Sequence, residues 1–162
     1  MTAAARAYEE GLKLSAQGQH ALAIERYEQA LAQTPDDTRV LFALGNTARS
    51  LGLARPAEEF FRRVLALEPQ RLEALINLAN LLRSQGNFAT AEALLAPALN
   101  SNPGSAELWM TMGSILRETG NSAKAVELYR EALAHKPNYP QALGNLADLL
   151  ADDGEIEEAL AL

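Results

Sequence analysis

The sequence lacks cysteine and long hydrophobic runs, and each absence excludes a class of protein. Without cysteine among its 162 residues, the chain has no disulfides, no thiolate catalysis and no cysteine metal site. No apolar run approaches the roughly 18 residues that a membrane helix needs, and residues 1–14 show no secretory signal pattern. Strand-like alternation is almost absent, and aromatic residues make up only 6%. We therefore expect a soluble, cytoplasmic, helical protein without a membrane segment.

Basic residues are also in short supply. The formal net charge is −7 and the isoelectric point is near 4.9. This balance argues against binding to nucleic acid or to an anionic membrane, which normally requires a basic face. No lysine or arginine follows Lys136, whereas six acids lie between Asp148 and Glu158. A solvated surface accounts for this acidic stretch.

Three residue types recur with a period of 34 residues, which indicates an array of one helical unit. Glycine recurs at Gly18, Gly52, Gly86, Gly120 and Gly154. Alanine recurs at Ala23, Ala57, Ala91, Ala125 and Ala159, and proline at Pro35, Pro69, Pro103 and Pro137. Such units stack, and each buries its apolar face against the next.

Residues 106–139 show how one unit is built. Apolar residues at helical spacing predict a first helix over 107–119, with Ser105 as its N-cap. Gly120 follows, at a position suited to positive φ, and the periodicity resumes over 122–135 until Pro137 ends it. The unit is thus a helix, a tight turn and an antiparallel helix. The small Ala125 lets the two helices approach, while Tyr129 fills the larger gap one turn later.

This pattern resembles the tetratricopeptide repeat. It is carried by Trp109-x-x-Met112-Gly113-x-x-Leu116, then Ala125-x-x-x-Tyr129, then Pro137. The resemblance implies an all-α fold, a right-handed superhelix (an α-solenoid) of antiparallel helix hairpins. It predicts a single array over 1–162, with repeats of approximately 4–37, 38–71, 72–105, 106–139 and an incomplete 140–162.

Two departures from the repeat stand out. Pro97 falls inside a predicted second helix, where it predicts a kink. The sequence also stops at Leu162 in mid-helix, although repeat arrays usually end in a polar capping element. We therefore expect a fragment of a longer protein. A further hypothesis is self-association through the uncapped apolar end, residues 159–162.

No catalytic constellation is visible in the sequence. His20 and His135 fall in different repeats, and neither has a neighbour that suggests a metal partner or a nucleophile. The glycines punctuate helices and form no phosphate-binding loop, and adjacent acids such as Glu157 and Glu158 point different ways on a helix. We predict that the chain is not an enzyme and has neither catalytic residues, a metal site nor a cofactor.

In proteins with this repeat, the first helices line a concave ligand-binding surface. Mapping that surface onto the sequence selects Phe42, Asn46, Arg49, Asn77, Asn80, Arg83, Thr111, Ser114, Arg117 and Asn145. Three arginines share one register and are expected to form a basic stripe. The asparagines, each with a donor and an acceptor, suit a ligand backbone. A purely structural origin for both ladders stays open, since arginine is common on exposed helix faces and asparagine can bond to its neighbours.

Known subfamilies divide the functional options. Co-chaperone repeats hold acidic tails with a carboxylate clamp, and Asn46 and Asn77 match its asparagines. Its basic positions are occupied here by Phe42, Glu107 and Thr111, which argues against that function. The asparagines resemble in part the repeat arm of O-linked N-acetylglucosamine transferases. We predict a module that binds a protein partner, as an extended peptide or a helix, in its groove; the alternative is the substrate-recruiting arm of a larger enzyme such as a glycosyltransferase.

Overall fold

A computed structural model describes residues 2–155 and 159, and within these residues it contains nine helices and no strand. The helices are α1 (Ala3–Ala16), α2 (His20–Gln33), α3 (Thr38–Ser50), α4 (Ala54–Leu67), α5 (Leu72–Ser84), α6 (Phe88–Ser101), α7 (Ala106–Glu118), α8 (Ser122–His135) and α9 (Pro140–Asp152). The two helices predicted from residues 106–139 are confirmed, the first within one residue at each end. Ser105 caps α7, since its side chain accepts a hydrogen bond from the amide of Leu108.

The turn inside each hairpin depends on the periodic glycine. Gly120 has a φ of 82°, and the other four members of its series lie between 73° and 85°. Residues other than glycine rarely adopt this left-handed backbone conformation, because their Cβ atom comes too close to the following carbonyl. The predicted positive φ is therefore confirmed, and it explains why glycine keeps the period.

Close packing inside a hairpin joins a glycine of the first helix to a ring of the second. A Cβ atom built on Gly45 would lie 2.6 Å from the Phe61 ring, and one built on Gly113 would lie 2.8 Å from the Tyr129 ring. Ala57 and Ala125, one turn before these rings, are fully buried. The two helices can approach this closely only because the facing positions are small.

The chain divides into two compact units, residues 1–81 and 82–162. The first unit has a core of buried side chains that includes Ala23, Tyr27 and Leu44. The second has its own core, which includes Tyr129 and Leu146. The single array over 1–162 and its five repeat boundaries stay predictions.

Three sequence predictions concern the helical ends and the interior of α6. Helix α6 continues through Pro97 to Ser101, whose hydroxyl donates to the Pro97 carbonyl at 3.1 Å; the kink itself stays a prediction. The hypotheses of a mid-helix end and of self-association depend on residues 159–162, and of these only Ala159 lies within the described part.

Among the residues described, no helix combines the length and the apolar character that a membrane crossing requires.

Candidate functional site

The first helix of each hairpin (α1, α3, α5, α7 or α9) presents what we call the first-helix face, and the predicted site residues belong to four of these helices. Phe42, Asn46 and Arg49 lie on α3; Asn77, Asn80 and Arg83 on α5; Thr111, Ser114 and Arg117 on α7; and Asn145 on α9. Within the first unit these are the residues of α3 together with Asn77 and Asn80. Within the second unit they are Arg83 and the residues of α7 and α9.

Two predicted asparagines of the first unit lie in direct contact. Asn77 Nδ2 donates to Asn46 Oδ1 at 3.0 Å. This bond uses one half of each amide, and the other halves make no further hydrogen bond with the described part of the chain. Asn46 therefore keeps its two N–H donors, and Asn77 keeps its carbonyl acceptor.

The first unit also contains a cavity of about 380 Å³ between its first two hairpins. We call it the α1–α3 pocket. Its lining consists of Tyr8, Leu12, Ser15, Ala16, Tyr27, Arg39, Phe42, Ala43, Asn46, Thr47 and Arg71. Sequence reasoning placed Phe42 and Asn46 in a groove but missed Tyr8, Leu12 and Arg71. The missed signal was the period itself, because Tyr8 and Leu12 precede Phe42 and Asn46 by 34 residues.

Arg39 lies at the rim of this pocket and is held by Asp37. Its Nε and Nη2 atoms donate to the Asp37 carboxylate at 3.1 and 2.7 Å, and its Cζ atom lies 5.5 Å from the centre of the Tyr8 ring. The hydrogen bond from the Arg39 guanidinium holds the pKa of Asp37 below its usual range. Asp37 also caps α3 through the Arg39 amide at 3.0 Å.

Arg71 is the second cation of the pocket and is more deeply set. Its Cζ atom lies 4.6 Å from the centre of the Phe42 ring. Its Nη1 donates to Glu68 at 3.2 Å and to the Thr38 carbonyl at 3.4 Å. A guanidinium over a ring gains from the negative face of the π-system, and the two hydrogen bonds fix its orientation. Arg71 is therefore positioned before any ligand arrives.

In the second unit, the predicted arginines are already paired. Arg83 forms an ion pair and hydrogen bond with Glu118. Arg117 donates to Asn145 Oδ1 at 3.3 Å, and its Nη2 lies 3.6 Å from Asp148. Arg49, by contrast, is exposed and has no ion pair within the described residues. An acidic ligand would have to compete with carboxylates at two of the three arginines.

Two predicted site residues of α7 are turned into the protein. Thr111 is fully buried, and its hydroxyl donates to the Glu107 carbonyl at 2.8 Å. Ser114 is also buried; its hydroxyl donates to the Met110 carbonyl at 3.0 Å and accepts from the Tyr129 hydroxyl at 3.3 Å. Short hydroxyl side chains in helices commonly bond back to a carbonyl one turn earlier. Neither hydroxyl is free for a ligand in this structure.

The acidic and histidine side chains do not gather into a metal site in the part of the chain that the structure describes. Glu107 instead accepts a hydrogen bond from Lys136 at 3.0 Å, which holds the pKa of the Glu107 carboxyl below its usual range. Lys136 Nζ also lies 4.4 Å from the centre of the Tyr139 ring. These contacts stabilise the surface of the second unit.

Comparison with known proteins gives a consistent result. The tetratricopeptide repeat profile matches residues 8–71, 76–140 and 110–162. Solved structures with the same fold include TTC0263, a thermophilic TPR protein in Thermus thermophilus, which is 29% identical with a TM-score of 0.79, covering 98% of this chain and 87% of that one. No curated protein is a significant sequence match.

Two other solved structures share the fold at lower identity. The 41-end form of MamA from Desulfovibrio magneticus RS-1 is 17% identical with a TM-score of 0.84, and the match covers 99% of this chain and 91% of that one. PilF of Pseudomonas aeruginosa is 22% identical with a TM-score of 0.86, and the match covers 98% of this chain and 72% of that one. At these identities the likeness shows the fold alone: an all-α solenoid of helix hairpins, as the sequence predicts.

Proposed function

Because the chain belongs to the tetratricopeptide repeat family, we propose that it binds a protein partner, as an extended peptide or a helix, on its first-helix face. Repeats of this family are protein–protein interaction modules and are generally non-catalytic. Binding of a peptide or helix on the first-helix face is the part of the proposal that goes beyond this general role of the family. It rests on the asparagine pair of the first unit.

The Asn46–Asn77 pair matches what a peptide backbone needs. Each peptide group carries one N–H donor and one carbonyl acceptor. Asn46 Nδ2 offers the donor and Asn77 Oδ1 the acceptor, while the hydrogen bond between the two side chains fixes both amides. Fixing them in advance lowers the entropy that binding must overcome. Asn80 and Asn145 are proposed to bind backbone singly, each within its own unit; Asn145 Oδ1 already accepts from Arg117, so Asn145 offers its Nδ2 donors.

The arginines of the predicted stripe are proposed to attract acidic groups of the partner. Arg49 is exposed and has no ion pair among the described residues, so it is available at once. Arg83 and Arg117 would exchange their present carboxylate partners for those of the ligand. Such exchange contributes to the rate and specificity of binding more than to affinity.

The test uses peptides selected from a random dodecapeptide display library against the whole chain, with affinities measured by fluorescence anisotropy. Replacing both asparagines (Asn46→Ala with Asn77→Ala) should weaken binding about tenfold, since two hydrogen bonds of about 0.7 kcal/mol each are lost. The matched control is Asn100→Ala, an exposed position on the second helix α6. Selected peptides that bind the double variant as tightly as the parent would contradict the proposal.

The alternative that the sequence left open, a recruiting arm of a larger enzyme, uses the same kind of peptide binding. It stays a prediction. The library test identifies the peptide that binds, and comparison of its sequence with the proteome of the source organism then leads to candidate partners.

A further inference from the structure

The α1–α3 pocket differs from the rest of the first-helix face in its chemistry. Aromatic and aliphatic side chains form much of its wall, chiefly Tyr8, Leu12 and Phe42. Its volume of about 380 Å³ lies at the lower end of cavities that hold small ligands. That size suits one bulky side chain with the backbone on either side of it.

The charged residues that line the pocket are Arg39 and Arg71, and no acid of the described chain lines it. Their acidic partners lie outside the lining and hold only part of each guanidinium: Asp37 for Arg39, and Glu68 with Glu73, whose carboxylate lies 4.0 Å from Nε, for Arg71. Arg39 binds Asp37 through Nε and Nη2, and Arg71 uses Nη1 for Glu68. The Nη1 group of Arg39 and the Nη2 group of Arg71 therefore keep N–H donors without a hydrogen-bond partner in residues 2–155.

The position of each guanidinium also places its charge beside an apolar surface. Each guanidinium lies over a ring of the pocket wall, Arg39 over Tyr8 and Arg71 over Phe42. The stacking places cationic donors next to apolar surface. A carboxylate gains strong, directional hydrogen bonds from such donors, and a neighbouring apolar side chain gains by leaving water.

We infer that the α1–α3 pocket recognises an acidic peptide segment that carries one bulky apolar side chain, with the side chain in the cavity and flanking carboxylates on Arg39 and Arg71. The inference rests on the proposed function, because it assigns the partner chemistry for one part of the same face. Asn46 belongs both to this pocket and to the proposed backbone-binding pair, since it lines the pocket and also bonds to Asn77.

The probe is a fluorescein-labelled nonapeptide with one phenylalanine flanked by two aspartates on each side, in a glycine–serine background. Two matched peptides carry alanine in place of phenylalanine, or asparagine in place of every aspartate. We expect the first peptide to bind the whole chain and both matched peptides to bind about tenfold more weakly. Equal binding of all three, or no binding of the first at about 1 mM, would overturn the inference.

Leu12 offers a variant that changes the pocket without touching the core. It lines the pocket but is 39% exposed, so both Leu12→Glu and Leu12→Lys should fold, which circular dichroism checks. Both lose the leucine contact and place a flexible charged side chain there, of opposite sign in the two variants. The acidic probe should bind Leu12→Lys about tenfold more tightly than Leu12→Glu at low salt, and the gap should shrink at high ionic strength.

The same pair of substitutions at Leu22 provides the control, because Leu22 is 48% exposed and lies outside the lining of this pocket. An equal charge effect at Leu12 and Leu22 would assign the response to net charge and overturn the inference. The library peptides separate the two proposals. If the library peptides bind the Asn46→Ala, Asn77→Ala variant more weakly, but bind Leu12→Lys and Leu12→Glu equally tightly, the proposed peptide binding stands and the pocket assignment fails.

Discussion

The two units follow the same hairpin plan, but their first helices present different chemistry. In residues 1–81, rings lie beneath arginines and a cavity opens beside them. In residues 82–162, α7 carries buried hydroxyls and its arginine is paired with Asp148. Charge differs as well: nine basic and ten acidic residues fall in the first unit, five and eleven in the second.

This difference separates what the period specifies from what it leaves free. Residues that keep the period build the hairpin, and their contacts are alike in both units, as in Gly45 against Phe61 and Gly113 against Tyr129. Positions on the first-helix face keep the register but change residue type. Tyr8 and Phe42 in the first unit correspond to Met110 and Gly144 in the second. Binding chemistry is therefore free to vary while the fold is kept.

The largest expected effect tests whether the two hairpins are equivalent. Gly45→Val and Gly113→Val should each lower the free energy of unfolding by about 2–3 kcal/mol, because the new side chain meets a buried ring with no room to move. Urea denaturation, monitored by circular dichroism, measures the free energy of unfolding of both variants. Similar losses would support one packing plan.

The control for this pair is Gly144→Ala on α9. An added Cβ there meets nothing within 4 Å, and alanine is the better helix former by up to about 1 kcal/mol. The variant should be as stable as the parent or more stable. A large loss at Gly144, or a loss at only one of Gly45 and Gly113, would break the equivalence of the hairpins.

The sequence predicts the fold well because the features that set it repeat. A positive φ at Gly120, a cap at Ser105 and the bounds of α8 all follow from local rules that act within a few residues. The glycine that ends each first helix occurs five times at the period, and the proline that follows each second helix occurs four times, which makes the repeat plain. Local rules also show which helix face a residue such as Asn46 belongs to.

The candidate site is predicted less well, because its chemistry depends on how deeply each side chain is buried and on contacts with residues far away in the sequence. Register alone places Thr111 beside the other site residues, yet its hydroxyl bonds back to its own helix. Arg71 precedes a helix, and it reaches the pocket only through contacts with Thr38 and Phe42, about 30 residues earlier. No local pattern reports such contacts.

A smaller effect tests a polar contact that the α3–α4 hairpin lacks at the matching position. Tyr129 donates to Ser114, whereas Phe61, which holds the corresponding position, has no hydroxyl. Tyr129→Phe should lower the free energy of unfolding by about 0.5–1 kcal/mol, again measured in urea. In a Ser114→Ala background the same substitution should cost less, since the partner is already gone. An undiminished cost there would assign the effect to packing.

The smallest effect compares the acids that hold each unit's surface, Asp37 beside Arg39 and Glu107 beside Lys136. Hydrogen bonds from these cations hold the pKa of both carboxyls below their usual range. A carboxyl whose pKa is lower in the folded than in the unfolded state stabilises the fold above its unfolded pKa of about 4. That stabilisation is lost as the pH falls through the lower folded value.

Asp37→Asn and Glu107→Gln should therefore unfold at lower urea concentration than the parent at pH 7. The differences should shrink as the pH falls below about 4, where the parent's carboxyls become protonated. High salt should reduce the Glu107 difference more, because that pair is about half exposed on both sides and exposed pairs are readily screened. Asp37→Asn keeps a side-chain oxygen for the Arg39 amide that caps α3, so its difference reports the charge alone, and the low exposure of the Asp37 side chain limits screening of that charge. A pH-independent difference at both sites would show that the substitutions act through shape and not through charge.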